Sequence, residues 1–573
     1  MRKLLLLPLC ASLVSQSFAV GSWTKLTNSL PYNYGAQMNL LSDGTVIIHL
    51  ANGGDSYGNS WVKLTPNARG SYVNGTFTNL PAMHYTRLDF SSQILKDGRL
   101  YVAGGEYGTG KSNGEVYDPL TNLWTNTPLP GNVVSDACSA ILEDGRVLQS
   151  LVGAKTGTVI YNPIDNTYIP GPSTHGGFGE AAWVKLPDNS LLQVDINSKN
   201  SERYIQSLNK WVVDATVPVN LYDSYGSETG AGFLLPNGRA FMLGSPGTTA
   251  LYTPSGDTTM GTWVAGPTIP NGGGTPDAPA AMMVNGKILA AISPIPTSAT
   301  HFPAPLYFYE YDYVSNTFTQ TTAPGGVTSL NHASYYGNML DLPDGKVLYG
   351  EQGSKILYVY TPDGTPLTAG KPTVTKIVPY GTGSYAMTGT LFNGISEGAA
   401  YGDDEQMATN YPIVRLTRDT NVYYARTYNW NSTGVQRGNR PDTAFFTLPT
   451  GLSPATYSLS VIVNGIGSDP ISFTPGTIVS LNHNPDASAL RRFNAVAFGS
   501  TLTLRFRVDA EVSDGSPLHM QLVSVDGHIV HQEQISGSGE FERRIDLSQH
   551  GKGIYLFVLD NGKGRITRSI AVQ

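Results

Sequence analysis

"DGRLYVAGGEYGTGKSNGEVYDPLTNLW", residues 97–124, reads as most of one β-sheet unit. Asp97-Gly98 supplies the positive φ that a tight hairpin turn demands. Apolar, β-rich runs flank it, "SSQIL" (91–95) before and "LYVA" (100–103) after. Tyr117 precedes Trp124 by seven residues, with the turn "DPLTN" between them. A second hairpin therefore follows the first, and the two together make four short antiparallel strands.

Outward from this stretch, the turn pair returns at Asp43-Gly44, Asp144-Gly145, Asp188-Asn189, Asn237-Gly238, Asn285-Gly286 and Asp344-Gly345, with spacings of 44 to 59 residues. The second hairpin returns as Tyr161 with Tyr168, Tyr204 with Trp211, and Tyr311 with Phe318. These aromatics are read as packing between neighbouring sheets. Repeats near 50 residues with four strands each predict propeller blades, and seven turns predict seven of them. The run "SWTKL" (22–26) is expected to pair with the last blade, because a closed circle removes edge strands.

The bulk composition agrees with an all-β chain of several domains. There are 573 residues, 64 of them Gly, 37 Pro and 32 Tyr, and 14% are charged. A net charge of −7 and the lack of a basic stripe argue against nucleic acid as a partner. Residues 1–19 read as a signal peptide: Arg2 and Lys3, a short apolar run from Leu4 to Val14, then Ser17-Phe18-Ala19 at the cleavage positions. That run is too short to span a bilayer and no later segment is long enough, so no transmembrane segment is expected. The exported chain would keep one cysteine, Cys138, read as a small buried hydrophobe.

Near residue 370 the blade period stops. Residues 371–476 contain alternating strands, such as "LSPATYSLSVIVNGIGSDPISFT", that predict an immunoglobulin-like β-sandwich. Residues 477–490 read as a linker, and 491–573 as a small C-terminal β domain.

The Gly104-Gly105, Tyr117 and Trp124 pattern resembles the kelch repeat. The order of parts, a propeller over 20–370 and then a sandwich, resembles the galactose oxidase and glyoxal oxidase family. The C-terminal domain, with its Gly-x-Tyr strand and short basic ending, resembles the sorting domains of type IX secretion. That resemblance implies a secreted or bacterial surface protein, attached or exported through its last domain.

The galactose oxidase resemblance implies a mononuclear copper on the propeller axis, held by two tyrosines and two histidines, with one tyrosine cross-linked to a cysteine. Counting back from the turns, Asp136 stands where that cysteine is expected, with Cys138 two positions on. Glu180 stands where the cross-linked tyrosine is expected. Tyr335-Tyr336 takes the place of the Tyr–His pair, with His332 a few residues earlier. The segment "YYARTYNWNSTG" (423–434), from which the last histidine is expected, has none. Copper needs imidazole and phenolate donors, and on this count it is not expected.

The same count finds something else. Eight residues before their turns stand Asp89, Asp136, Glu180 and Asp277, and Glu228 stands nine before its own. Five of seven blades thus place an acid at or beside one structural position. Propeller symmetry carries that position to the axis, as a ring of carboxylates. At about 8 Å separation and an effective dielectric near 20, each pair repels by roughly 2 kcal/mol. A hard divalent cation such as Ca²⁺, or an arginine, would offset this; Arg87 and Arg426 are the candidate counter-charges. His84 and His175 lie on loops ahead of ring acids and are candidates for acid–base work, beside Glu180, Asp136 and Tyr335.

The function expected is a secreted, galactose-oxidase-like kelch propeller that lacks most copper ligands. It would bind a carbohydrate or polyol at the acidic axial site through Asp89, Asp136, Glu180, Glu228, Asp277, Tyr335, Tyr336, Arg87 and Arg426. The same five acids are the candidate metal ligands. The alternatives are a copper-radical oxidase with altered ligands and a carboxylate-dependent glycan hydrolase or lyase.

Overall fold

The computed structural model describes residues 20–573 except 55, 135–137, 153–155, 180, 382, 399–408, 477–478, 481–489, 499, 509–516, 525–527, 552, 561–564 and 573. Residues 1–19, read as a signal peptide, and the expected ring acids Asp136 and Glu180 therefore lie outside the described residues, as does most of the stretch 477–490 read as a linker.

Each turn pair sits between two neighbouring strands of an antiparallel sheet, and seven such sheets follow in chain order, five of four strands and two of five. The unit that opened the sequence reading is Ser91–Ile94, Leu100–Ala103, Gly114–Asp118 and Leu123–Asn126. The seventh sheet holds Gly337–Asp341, Val347–Glu351 and Tyr358–Thr361, and takes Ser22–Lys25 as its outer strand. Trp23 pairs with Tyr360 there, so the chain's start closes the ring. The protein is an all-β, seven-bladed propeller.

The aromatic pairs seven residues apart are cross-strand neighbours: Tyr117 opposite Trp124, Tyr161 opposite Tyr168, Tyr204 opposite Trp211, Tyr311 opposite Phe318. The structure adds a polar device. Each tyrosine hydroxyl donates to the asparagine five residues on, Asn122, Asn166, Asn209 or Asn316, at 2.8–2.9 Å. Those four asparagines hold the left-handed turn, with φ between 47° and 58°. One side chain thus fills the gap between blades and ties down the outer hairpin.

Residues 373–473 form a sheet that folds over on itself. The strand Asn421–Tyr428 pairs through Ala425 and earlier residues with Ile413–Arg418, and through Arg426–Tyr428 with Asp442–Thr447. A strand that changes partners half-way makes a sandwich corner. Between the two layers lie Ile377, Met387, Leu416, Trp430, Phe446, Leu459 and Phe473. Val479–Ser480, inside the stretch read as linker, instead pairs with Lys376 and Ile377 at the sandwich edge. The last domain has its own core of Leu504, Phe506, Met520, Tyr555 and Phe557 between two sheets.

The sandwich covers the turn end of the propeller. Tyr411 donates from its hydroxyl to the Leu40 carbonyl, and Thr433 to that of Leu142 at 2.6 Å. Arg426 donates to the Asp97 carbonyl at the second blade's turn. Glu397–Gly398 pairs with Phe233 and Leu234 of the fifth blade's inner strand. Lys185 of the fourth blade meets Glu397 at 3.6 Å. Burial pushes the Glu397 carboxyl up, and the ammonium opposes that shift. A cavity of about 30 Å³ remains among Asn39, Gln93, Lys185 and Glu397, room for about one water molecule.

Candidate functional site at the propeller mouth

Eight residues of strand cover about 26 Å, so residues that far before a turn stand at the opposite end of the propeller. This end, the mouth, is built from the loops that join successive blades and from those linking the second and third strands of each. Asp89 and Asp277 both stand here, 8% and 7% exposed. Both have φ of +47°, a left-handed backbone uncommon outside glycine. The count-back thus found a shared local geometry as well as a shared position. Glu106 N–H donates to the Asp89 carbonyl at 3.0 Å, just after the Gly104-Gly105 pair. A side chain at Gly104 would meet the Val134 carbonyl at 1.8 Å, and φ there is +81°. The kelch double glycine therefore allows the loop that leads to the third blade to approach closely at Val134.

Glu228 and Asp277 come from adjacent blades, and Asp277 N–H donates to the Thr229 carbonyl at 3.1 Å. Ser334 donates to the Pro276 carbonyl, which brings the loop carrying Tyr335 and Tyr336 beside Asp277. The described acids form this paired patch, with Asp89 three blades round the ring. Among the described residues there is no group of three or more His, Cys, Asp and Glu placed to hold a metal ion.

The two arginines assigned to the ring do not serve it. Arg87 is fully buried and meets Glu115 at 3.1 Å. Its guanidinium also donates to the carbonyls of Gly104, Gly110 and Asn113. It is held inside the second blade by a carboxylate 28 residues on. Arg426 belongs to the sandwich and touches the turn end, the far side of the propeller. The segment 423–434 is at that end too, with Thr433 donating to the Leu142 carbonyl.

His84 and His175 sit in matching devices. His84 Nδ1 and its backbone N–H both reach Glu115 Oε1 at 2.8 Å. His175 Nδ1 reaches Glu202 Oε2 at 2.9 Å, and its backbone N–H reaches the same atom at 2.9 Å. The groups facing each carboxylate are donors, including the Tyr85 and Gly176 N–H groups. Nδ1 of each ring therefore donates to its glutamate, which in the neutral ring leaves the lone pair on Nε2. The imidazoles are 53% and 50% exposed, whereas the glutamates are 0% and 5% exposed. Glu115 and Glu202 each stand two residues before the blade tyrosine, Tyr117 or Tyr204. The sequence reading missed both, although that shared offset was visible.

It also missed an aromatic run. Tyr225 stacks on His301, with ring centres 6.3 Å apart. The next residue, Phe302, meets Tyr335 edge-on at 5.0 Å. Tyr335 meets Tyr336 at 4.8 Å, and Tyr336 stacks on His332 at 5.7 Å. Asp223 holds the first loop by accepting from the Tyr225 and Gly226 N–H groups at 2.7 Å. His332 Nδ1 is 2.7 Å from the Ala333 carbonyl and Nε2 is 3.5 Å from Glu351. Burial pulls its pKa down, but Glu351 and that carbonyl outweigh burial and raise it. His332 thus lies between Glu351 and the ring of Tyr336. Cys138 is buried and donates to the Ala181 carbonyl at 2.8 Å.

Comparison with known proteins assigns two parts of the chain. Residues 96–128 match the kelch motif, the stretch that decided the fold. Residues 500–573 match the secretion system C-terminal sorting domain. Kelch blades thus precede a secretion tail. A tail of this kind marks a secreted or cell-surface protein, and no described helix is long and apolar enough to cross a membrane. Spermatocyte protein spe-26 of Caenorhabditis elegans is 34% identical over 91 residues, 14% of this chain and 15% of that one. The match spans less than a sixth of that relative's length. Among solved structures, a fungal alcohol oxidase of the AA5 family in complex with copper aligns at a TM-score of 0.48. It shares 14% identity and covers 80% of this chain and 99% of that one.

Proposed function

We propose that this is a secreted or surface-displayed binding protein whose propeller mouth holds a carbohydrate or other polyol. The aromatic run from Tyr225 to His332 beside Asp277 carries the reading. Aromatic faces pack against the C–H faces of a sugar, and a carboxylate accepts from adjacent hydroxyls. A sorting tail supports a ligand met outside the cell. In this reading copper has no role. A hard divalent cation such as Ca²⁺ would assist by relieving repulsion between Glu228 and Asp277, the acids that adjacent blades bring together.

Calorimetric titration with neutral oligosaccharides, with and without millimolar Ca²⁺, tests this. Binding is expected to fall at least tenfold in Tyr335→Ala, about 1.4 kcal/mol. Asp277→Asn should lose any gain that Ca²⁺ brings. Heat that is absent for every saccharide, or unchanged in Tyr335→Ala, would sink the proposal.

One observation favours a second reading. The His84–Glu115 and His175–Glu202 pairs are built like general bases, with a fixed tautomer and an outward lone pair. A glycan hydrolase or lyase acting at this mouth would use one of them. New reducing ends or unsaturated products from the same oligosaccharides, abolished in His175→Gln, would move the assignment from binding to catalysis.

A further inference from the structure

We infer that the mouth-face cleft of the first blade is a second saccharide subsite, so that the ligand is a chain of several sugar units. This rests on the reading of the mouth as a saccharide site. The cleft encloses about 560 Å³, within the range of small-molecule sites. Tyr32 and Tyr57 line it and are 45% and 55% exposed. An exposed tyrosine ring on each of two loops gives apolar faces to a ligand at little cost in side-chain entropy.

The rest of the lining gives the ligand's chemistry. Asn52, Asn59, Asn79 and Ser60 supply amide and hydroxyl groups, and none of the described lining residues carries a charge. Amides both donate and accept, which suits sugar hydroxyls. Four such polar, uncharged groups suit the hydroxyls of a neutral glycan. Tyr32 is held in place: its hydroxyl donates to Asn52 Oδ1, and the Lys355 ammonium lies 6.0 Å from its ring centre.

The cleft also continues the mouth. A side chain at Gly54, two residues after Asn52, would meet the Tyr336 hydroxyl at 3.9 Å. Gly53 approaches Gly353 so closely that a side chain there would meet its Cα at 2.3 Å. The loop bordering the cleft therefore lies against the aromatic run, and a chain leaving Tyr336 meets Asn52 next. Residues 22–25 pair with the seventh blade and hold this side of the ring closed.

The test is a length series. Malto-, cello-, xylo- and manno-oligosaccharides of two to six units are titrated into the full-length protein, Tyr57→Ala and Tyr336→Ala. In the wild type, affinity for the recognised series should rise about tenfold or more beyond the disaccharide. Tyr57→Ala should remove that rise and leave disaccharide affinity unchanged, whereas Tyr336→Ala should weaken every length. Tyr57 is exposed, so its truncation leaves the core intact, and an unchanged melting temperature checks this. Equal affinity at all lengths, or a rise that survives in Tyr57→Ala, overturns the second subsite while the mouth reading stands. No binding at any length overturns both.

Discussion

His49 shows what one buried titratable group does to this fold. It lies on the second strand of the first blade, fully buried between Trp61 and Phe90, with ring centres 5.4 and 5.3 Å away. Burial pushes the imidazole down to about 4, the Gly58 backbone opposes the shift, and the Arg87 charge adds to it. The sign follows from linkage. The unfolded chain takes up this proton near pH 6.5 and the folded one only near 4, so the unfolded state binds more protons between them. The stabilisation is complete above pH 6.5 and is lost as pH falls towards 4, by about 3 kcal/mol in all. Urea unfolding of wild type and His49→Gln across pH 4–7 should show two curves that converge on the acid side. Parallel curves would mean that the imidazole is not held neutral in the fold. A glycine faces it: a side chain at Gly35 would meet His49 Nδ1 at 2.2 Å. That explains why the first blade carries no acid at the ring position.

The outer hairpin is the element most fully written in the sequence. Its tyrosine and its partner seven residues on were legible as a pair because two strands and a five-residue turn fix the offset. The asparagine was legible as a turn residue, but its bond to the tyrosine was not, because periodicity reports facing side chains and not the polar tip of one of them. Removing one hydroxyl tests the device. Tyr161→Phe should cost about 1 kcal/mol, one hydrogen bond, and should loosen hydrogen exchange around Asn166. An unchanged melting temperature with unchanged exchange would make that bond incidental. The inner strands were legible for a different reason. A turn of known type and strands of nearly constant length let an eight-residue count reach the mouth, where Asp89 and Asp277 share one backbone conformation. The count could not see partners distant in sequence. Arg87 seemed free to serve the ring because Glu115, which buries its charge, lies on the third strand of the blade. Tyr225 and His301 lie on separate loops with no repeat to mark them, and only the folded ring brings them together.

At the scale of the molecule, the propeller closes on itself through Ser22–Lys25 and is covered at its turn end by the sandwich. The two share one hydrophobic core, in which Leu40, Leu342 and Trp430 belong to the same cluster. They should therefore unfold together. The sorting domain stands apart in this respect. Its core residues, from Leu502 to Val572, pack among themselves. A small apolar contact, Ile554 with Val378, Ala386 and Phe445, joins it to the sandwich. The propeller with its sandwich and the sorting domain are thus built on separate cores. A chain ending at residue 499 should keep the main thermal transition within a few degrees, because the lost contact is a small fraction of the shared core. It should also keep its oligosaccharide affinity, since every mouth residue lies before residue 356. In a host with the matching secretion system, the same truncation should leave the protein inside the cell envelope and absent from the surface and medium. Scanning calorimetry of the purified truncation and fractionation of the expressing cells check the two halves separately. A large drop in the main transition would show that the tail braces the sandwich, and normal export would show that the tail is not the export signal.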